Sequence, residues 1–333
     1  MSAVLRRAVW GVGADAPVRL ARGDALGYIA GRLACWNCAA PLDNRLEKGM
    51  ALRLRKLSYA LGAEVCDIDL AQPLGEDCVG DIRRAFLEHN GLLLFRNQRI
   101  GPAQHIAFSR RFGDLDRHES VPRDRHPEHA EILVVTNEAD ADGGPSNSRY
   151  TGQLWHSDLG FTLRPALGSL LRAVAVPSVG GDTLFANMYA AHAALSAGMQ
   201  ALIADLCGIH TQQRRHVSAD WQAESSRLNP PVAHPLVRIH PETSRKALYV
   251  GEPVKRIEGL SVAESTPILE VLLAAATRPQ AGYRHQWQVN DLVFWDNRCT
   301  NHQALGDYDP AERRRMERTT LVGEPSGHLA RID

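Results

Sequence analysis

The sequence predicts a mixed α+β fold built on a double-stranded β-helix, a jelly-roll barrel decorated by helices. Short strand-like runs recur along the 333 residues with Gly, Pro, Asn or Asp turns between them, the spacing of a sandwich or barrel. A few stretches interrupt these runs with apolar residues at helical spacing. Strands and helices do not alternate regularly, which argues against a doubly wound parallel sheet.

Residues 1–49 differ from the rest. They are rich in Arg, Ala and Gly, show no alternating strand pattern, and lack the apolar centre and cleavage site of a secretory signal. They are expected to be a disordered or non-native extension, with Met50 as the biological start and 50–333 as a single domain. Inside the extension, Cys35 and Cys38 form "CWNC". No second C-x-x-C or His pair follows at zinc spacing, so this reads as an accidental pair.

From Met50, "MALRLRKLSYALGAEVCDIDLAQPL" gives a strand, a Gly turn and a second strand. "GEDCVGDIRRAFLEHN" is a helix with Val79, Ile82, Ala85 and Phe86 on its apolar face and an Asn-Gly stop. "GLLLFRNQ" is a continuous apolar strand, "GPAQHIAFSRRFG" a second helix and "EILVVTN" another strand. Residues 139–151 form a polar Gly/Pro/Ser-rich loop with the character of a lid. It leads into "QLWHSDLGF", read as a strand. Two strands around Gly180-Gly181, a helical stretch from about Met188 to Leu206, and a hairpin turning at "PETSR" follow. A helix over Val262–Ala275 and the strands "YRHQWQVNDLVFWDN" and "MERTTLVGE" complete the pattern.

Composition narrows the function. Lys plus Arg and Asp plus Glu are 38 each, and no basic run interleaves with aromatics, so no nucleic-acid partner is expected. No apolar stretch reaches the roughly 18 residues of a membrane span. Cys66, Cys78, Cys207 and Cys299 are scattered, as in a reduced cytoplasmic protein.

The chemistry concentrates in "WHSD". On a strand, residues i and i+2 project from one face, so His156 and Asp158 would offer an imidazole and a carboxylate side by side. His302, beyond the distant strand "DLVFW", supplies a second imidazole. Two His and one carboxylate form a facial triad that binds non-haem iron and leaves adjacent positions open for a chelating cosubstrate and O2. Past His302, Arg314 and Arg318 stand four apart, where an arginine can pair bidentately with a carboxylate at a fixed distance from the metal. Most other histidines, His105, His210, His216 and His285 among them, are expected to be solvated or satisfied. Trp155 and Trp295 are expected to be packing residues, and Cys299 a buried small one.

These residues carry a resemblance. "LGAEVCDIDL", "LLFRNQ", "RFGDL", "WHSDLGF", "GGDTLFAN", "HPLVRIHPETSRKALYVG", "WDNRCTNH" and "RRRMERTT" stand in the order found in the Fe(II)/2-oxoglutarate-dependent taurine dioxygenase and 2,4-dichlorophenoxyacetate dioxygenase family. The resemblance runs from about Ser58 to Glu324. It implies a dioxygenase that uses Fe(II), 2-oxoglutarate and O2, hydroxylates a small organic anion, and releases succinate and CO2. It makes His156, Asp158 and His302 the iron ligands. Thr183 and Arg314 would hold the distal carboxylate of 2-oxoglutarate, and Arg318 the anionic end of the substrate. One extra residue between His302 and the arginine cluster sets this register from the following Met-x-Arg-Thr and leaves Arg313 and Arg315 as lesser candidates. Family members often form dimers or tetramers, so a homo-oligomer is implied.

His118 falls where the taurine enzyme has a substrate-contacting His. Val121 and Gly152 replace its Tyr and Asn, which removes hydrogen-bonding groups and disfavours taurine itself. A larger or more apolar sulfonate, sulfate ester or aryloxyalkanoate fits better. Retention of Asp158 counts against halogenation. A zinc-type hydrolase or a non-catalytic metal-binding barrel is the alternative, although neither needs the distal Arg and Thr.

Overall fold

In a computed structural model of the chain, residues 52–119, 124–139, 147–213 and 218–331 are described. The N-terminal extension with Cys35, Cys38 and Met50, together with Val121, His216 and most of the 139–151 loop, lies outside the described residues.

Strands β1 (Leu54–Lys56) and β2 (Ala63–Val65) form the expected hairpin. Helix α1 (Glu76–Glu88) buries the four positions its periodicity marks and stops at Asn90 and Gly91, at φ 58° and 74°. The apolar run Leu92–Phe95 is β3, buried at every residue. Helix α2 (Pro102–Ser109) and strands β4 (Leu133–Thr136), β5 (Gly168–Ala175) and β6 (Thr183–Asn187) follow as expected. The next helical stretch is two helices, α3 (Met188–Ala193) and α4 (Ala197–Ile203), because Ser196 caps the second.

Strands β7 (Cys207–His210) and β8 (Val232–Pro235) and helix α5 (Ala219–Leu228) between them were not legible as elements. The hairpin of β9 (Val237–Ile239) and β10 (Lys246–Leu248) was. Then come β11 (Val254–Ile257), α6 (Val262–Ala276), β12 (Gly282–His285), β13 (Leu292–Asp296), β14 (Thr300–Ala304), β15 (Arg315–Leu321) and β16 (His328–Leu329).

The main sheet has seven strands in the order β1-β2-β3-β13-β5-β15-β4. A three-stranded sheet, β12-β6-β14, packs on one face of it. Strand alternation explains how. Val293 and Trp295 of β13 point toward Phe185 of β6, whose ring lies 5.6 Å from Trp295. Phe294 points the other way and stacks on Phe86 of α1 at 3.9 Å. Two smaller sheets, β11-β7-β8-β16 and β9-β10, lie beside this pair, with α3 and α6 packed on β10 and β11.

The fold is therefore mixed α+β, as expected. A closed barrel is not formed among the described residues, because the backbone ladders stay in four separate sheets. The two main sheets meet through side chains instead. No described helix is long and apolar enough to cross a membrane.

Candidate metal centre and substrate cavity

His302 lies in the middle of β14, opposite Phe185 of β6. The strand expected over residues 153–161 does not form. His156 alone makes an antiparallel bridge to His302, and the chain turns at once, with Leu159 at φ 53°. The pairing ends there because the Asp158 N–H donates to Asn297 Oδ1 (3.0 Å) rather than to a strand neighbour. The single bridge suffices to position the two imidazoles. His156 N donates to His302 O at 3.0 Å and His302 N to His156 O at 2.9 Å, and the rings lie 4.2 Å apart.

Asp158 closes the cluster. Its Oδ1 is 3.7 Å from His156 Nε2 and 3.8 Å from His302 Nε2. One ligand atom from each residue falls within 4.8 Å of the others. His156 Nδ1 lies 2.6 Å from Leu154 O, so that nitrogen carries the proton and Nε2 presents a lone pair. Burial and the neighbouring His156 push His302 well below the usual histidine range. Burial raises the Asp158 carboxyl, but Arg318 and the imidazoles outweigh it and hold the group ionised, well below the usual range. Two imidazole nitrogens and one anionic oxygen are a donor set that fits a divalent iron.

Sequence reading missed the groups that aim Asp158. Its Oδ2 accepts from Ser169 Oγ (2.7 Å), and Asn297 Nδ2 donates to Ser169 Oγ (3.0 Å). Asn297 Oδ1 is in turn fixed by Trp295 Nε1 (3.1 Å). Ser169 had left a signal, a hydroxyl within the apolar run "LGSLL". A second grouping, His240, Asp296 and Cys299, is also buried. There Asp296 is saturated by Arg298 (2.6 and 2.8 Å) and His240 (3.0 Å), which locks the turn that presents Asn297.

Arg314 is buried at the edge of β15. Its Nε donates to Gly181 O (3.3 Å), and among the described residues no carboxylate forms an ion pair with it. Asp182, whose charge it feels, is held by Arg284 at 2.6 Å. Burial pushes the Arg314 guanidinium below its ordinary range. Gly181, at φ 70°, makes room, since a Cβ there would stand 3.2 Å from Arg314 Nε. Arg313 and Arg315 instead turn to Glu138, at 2.7 and 3.2 Å. A bulge in β5 between Ala173 and Ala175, opposite Met316 and Arg315, accompanies this switch of direction. Thr183 is opposite Ala304, two residues along β14 from His302, and its Oγ1 accepts from Trp287 Nε1 (2.9 Å), leaving the O–H free to donate.

A cavity opens over the cluster and is lined by His156, Asp158, Arg318, His118 and Gly152. Arg318 Nη1 donates to Asp158 Oδ1, while its buried Nε has no hydrogen-bond partner among the described residues. His118 is 1% exposed, and burial together with Arg318 pushes it down to about 4. Gly152 accepts from Ala304 N (2.8 Å) at φ 78°. Trp295 and Cys299 are buried as expected, and His285 is satisfied by Asp291 (3.1 Å). His210 departs from expectation: it lines the cavity with Nε2 unpaired.

Comparison with known proteins agrees with this geometry. Residues 53–320 match the family described as taurine catabolism dioxygenase TauD, TfdA family. The chain is 38% identical over 277 residues to an alpha-ketoglutarate-dependent 2,4-dichlorophenoxyacetate dioxygenase of Cupriavidus pinatubonensis, covering 80% of this chain and 95% of that one. It is 32% identical over 284 residues to an alkylsulfatase of Acinetobacter baylyi, covering 82% and 86%. Among solved structures, AAD-2 in complex with Mn(II) and N-oxalylglycine superposes with a TM-score of 0.75 at 31% identity, covering 83% of this chain and 99% of that one. The chain belongs to the TauD, TfdA family. It is an oxidoreductase, a dioxygenase that depends on Fe(II), 2-oxoglutarate and O2.

Proposed function

We propose that the chain hydroxylates a small organic anion of the sulfonate, sulfate ester or aryloxyalkanoate type, on a jelly-roll made by its two main sheets. The carrying observation is the convergence of His156, Asp158 and His302, together with the buried Arg314 guanidinium that has no carboxylate partner among the described residues. Relatives acting on 2,4-dichlorophenoxyacetate and on sulfate esters support the substrate class.

In this reading His156 Nε2, His302 Nε2 and Asp158 hold the iron. Iron with 2-oxoglutarate and O2 supplies the oxidation that yields succinate and CO2 and hydroxylates a substrate C–H bond. Ser169 and Asn297 keep Asp158 aimed. Arg314 and the Thr183 hydroxyl grip the distal carboxylate of 2-oxoglutarate, a charge-assisted contact in a water-poor site. Arg318 and His118 take the anionic end of the substrate, while Gly152 widens the space around it. A carbon hydroxylated next to a heteroatom then collapses to a carbonyl as its C–S or C–O bond breaks and the hydroxyl loses its proton, releasing sulfite, sulfate or a phenol. The catalytic domain is 50–333, with residues 1–49 as an extension.

A panel of sulfonates, sulfate esters and aryloxyalkanoates tests this. At least one should stimulate succinate formation by the Fe(II) protein several-fold. Stimulation by none of them would contradict the assigned substrate class.

A further inference from the structure

The cavity wall carries a second set of polar side chains that neither metal nor cosubstrate uses. Tyr249, just past β10, and His210, at the end of β7, both line it. Their rings stack, with centroids 5.1 Å apart and planes 27° from parallel. His234 meets both rings edge-on, and Arg238 lies 4.5 Å over the Tyr249 ring. Tyr249 is 2% and His210 7% exposed, yet among the described residues His210 Nε2 has no hydrogen-bond partner and Tyr249 Oη meets only the Arg238 guanidinium, a donor that leaves the phenol O–H unused. His234, in contrast, is satisfied by Thr162 O (3.0 Å) and Ser326 Oγ (3.2 Å).

Buried polar groups with unused hydrogen-bonding capacity are rare in folded proteins, and two together in one cavity wall point to a ligand. The polarity is one-sided. Burial raises the Tyr249 phenol, so it stays an O–H donor, and the positive charge of Arg238 strengthens that donor. Among the described residues, no carboxylate forms an ion pair with Arg238, His210 or His234. Gly160, two residues after Asp158, keeps the approach open, because a Cβ there would stand 3.2 Å from Tyr249 Oη and 3.3 Å from His210 Nδ1. A molecule whose anionic end lies at Arg318 therefore passes this pair along the same wall.

We propose that Tyr249 and His210 form a specificity subsite that reads a hydrogen-bond acceptor, an oxygen carried on the apolar body of the substrate away from its anionic end. This rests on the function proposed above and adds to it the kind of substituent the pocket selects.

The test is anaerobic titration calorimetry on the full chain loaded with Fe(II) and 2-oxoglutarate. The probes are 4-acetylphenoxyacetate and 4-isopropylphenoxyacetate, which share an anionic end and a similar shape and differ in one carbonyl. The acetyl compound should bind about tenfold more tightly, the size of one hydrogen bond to a buried donor. Tyr249→Phe should erase that preference by weakening the acetyl compound alone, and His210→Leu should reduce it. Equal binding by the wild-type protein, or a Tyr249→Phe variant that keeps the preference or weakens both probes alike, would overturn the subsite. So would binding of neither probe. The function itself falls only if the anion panel also fails to raise succinate formation.

Discussion

At the scale of single residues, the cluster depends on groups that hold Asp158 as much as on Asp158 itself. Its Oδ2 is occupied by Ser169, and Asn297 holds both Ser169 and the Asp158 backbone N–H. Removing either support lets the carboxylate rotate away from the imidazoles. Ser169→Ala and Asn297→Ala should each weaken Fe(II) affinity by about 10- to 100-fold, read by metal titration, with the fold intact by circular dichroism. Unchanged affinity in both variants would show that the clamp is dispensable. Buried histidines make a second residue-scale prediction. Burial and Arg238 push His234 down to about 4, and burial and Arg172 push His105 to about 3, against an ordinary value of 6.5. Between those values the unfolded chain binds more protons than the folded one. Stability contributed by the neutral rings is therefore complete above about pH 6.5 and is lost as pH falls toward 4. The slope is up to about 1.4 kcal/mol per pH unit for each ring. Melting temperature should fall on acidification from pH 7 to 5, and His234→Gln should flatten the profile. His156, Asp158 and His302 were legible because their residue types and order are the chemistry. Ser169, Asn297 and Tyr249 were not, since their roles arise only when distant segments meet.

At the scale of elements, what sequence pattern showed and what it hid follow from length. Helix α1 announced itself by periodicity over 13 residues, and β3 by an unbroken apolar run. Strands β7, β8 and β11 are four residues each, too short for alternation to stand out. The segment with His156 read as a strand because i, i+2 spacing was all that sequence offered. In the fold a single bridged residue does the positioning. The turn before β6 shows how an element seats a site residue. Gly180 has φ 79°, and a Cβ on it would stand 2.1 Å from Asp307 O, so only glycine lets the chain bring Gly181 O to Arg314. Gly180→Ala should destabilise the protein by about 1–3 kcal/mol through forced backbone movement, and weaken 2-oxoglutarate binding with it. Denaturant melts and cosubstrate titration check the two effects separately. A variant as stable as wild type with unaltered binding would refute the close approach.

At the scale of the whole molecule, two sheets meeting through Phe185 and Trp295 bring β14, β6 and β15 together at the His156, Asp158 and His302 cluster. The family resemblance carried that arrangement, whereas composition alone allowed many. Sequence pattern changes at Met50, and the family match begins at residue 53. A chain starting at Met50 should therefore fold and retain activity within about twofold of the full chain, and an insoluble or iron-free product would assign the extension a structural role. The central claim is that Arg314 serves the cosubstrate and Arg318 the substrate, four residues apart on one strand edge. The direct measurement is anaerobic titration of 2-oxoglutarate into the Fe(II) protein, followed by the metal-to-ligand charge-transfer band. Arg314→Ala should weaken the titration by about 30- to 1,000-fold, the loss of roughly 2–4 kcal/mol of charge-assisted binding. Arg318→Ala should leave it nearly unchanged while removing stimulation by substrate. Equal weakening by both substitutions, or by neither, would contradict the assignment.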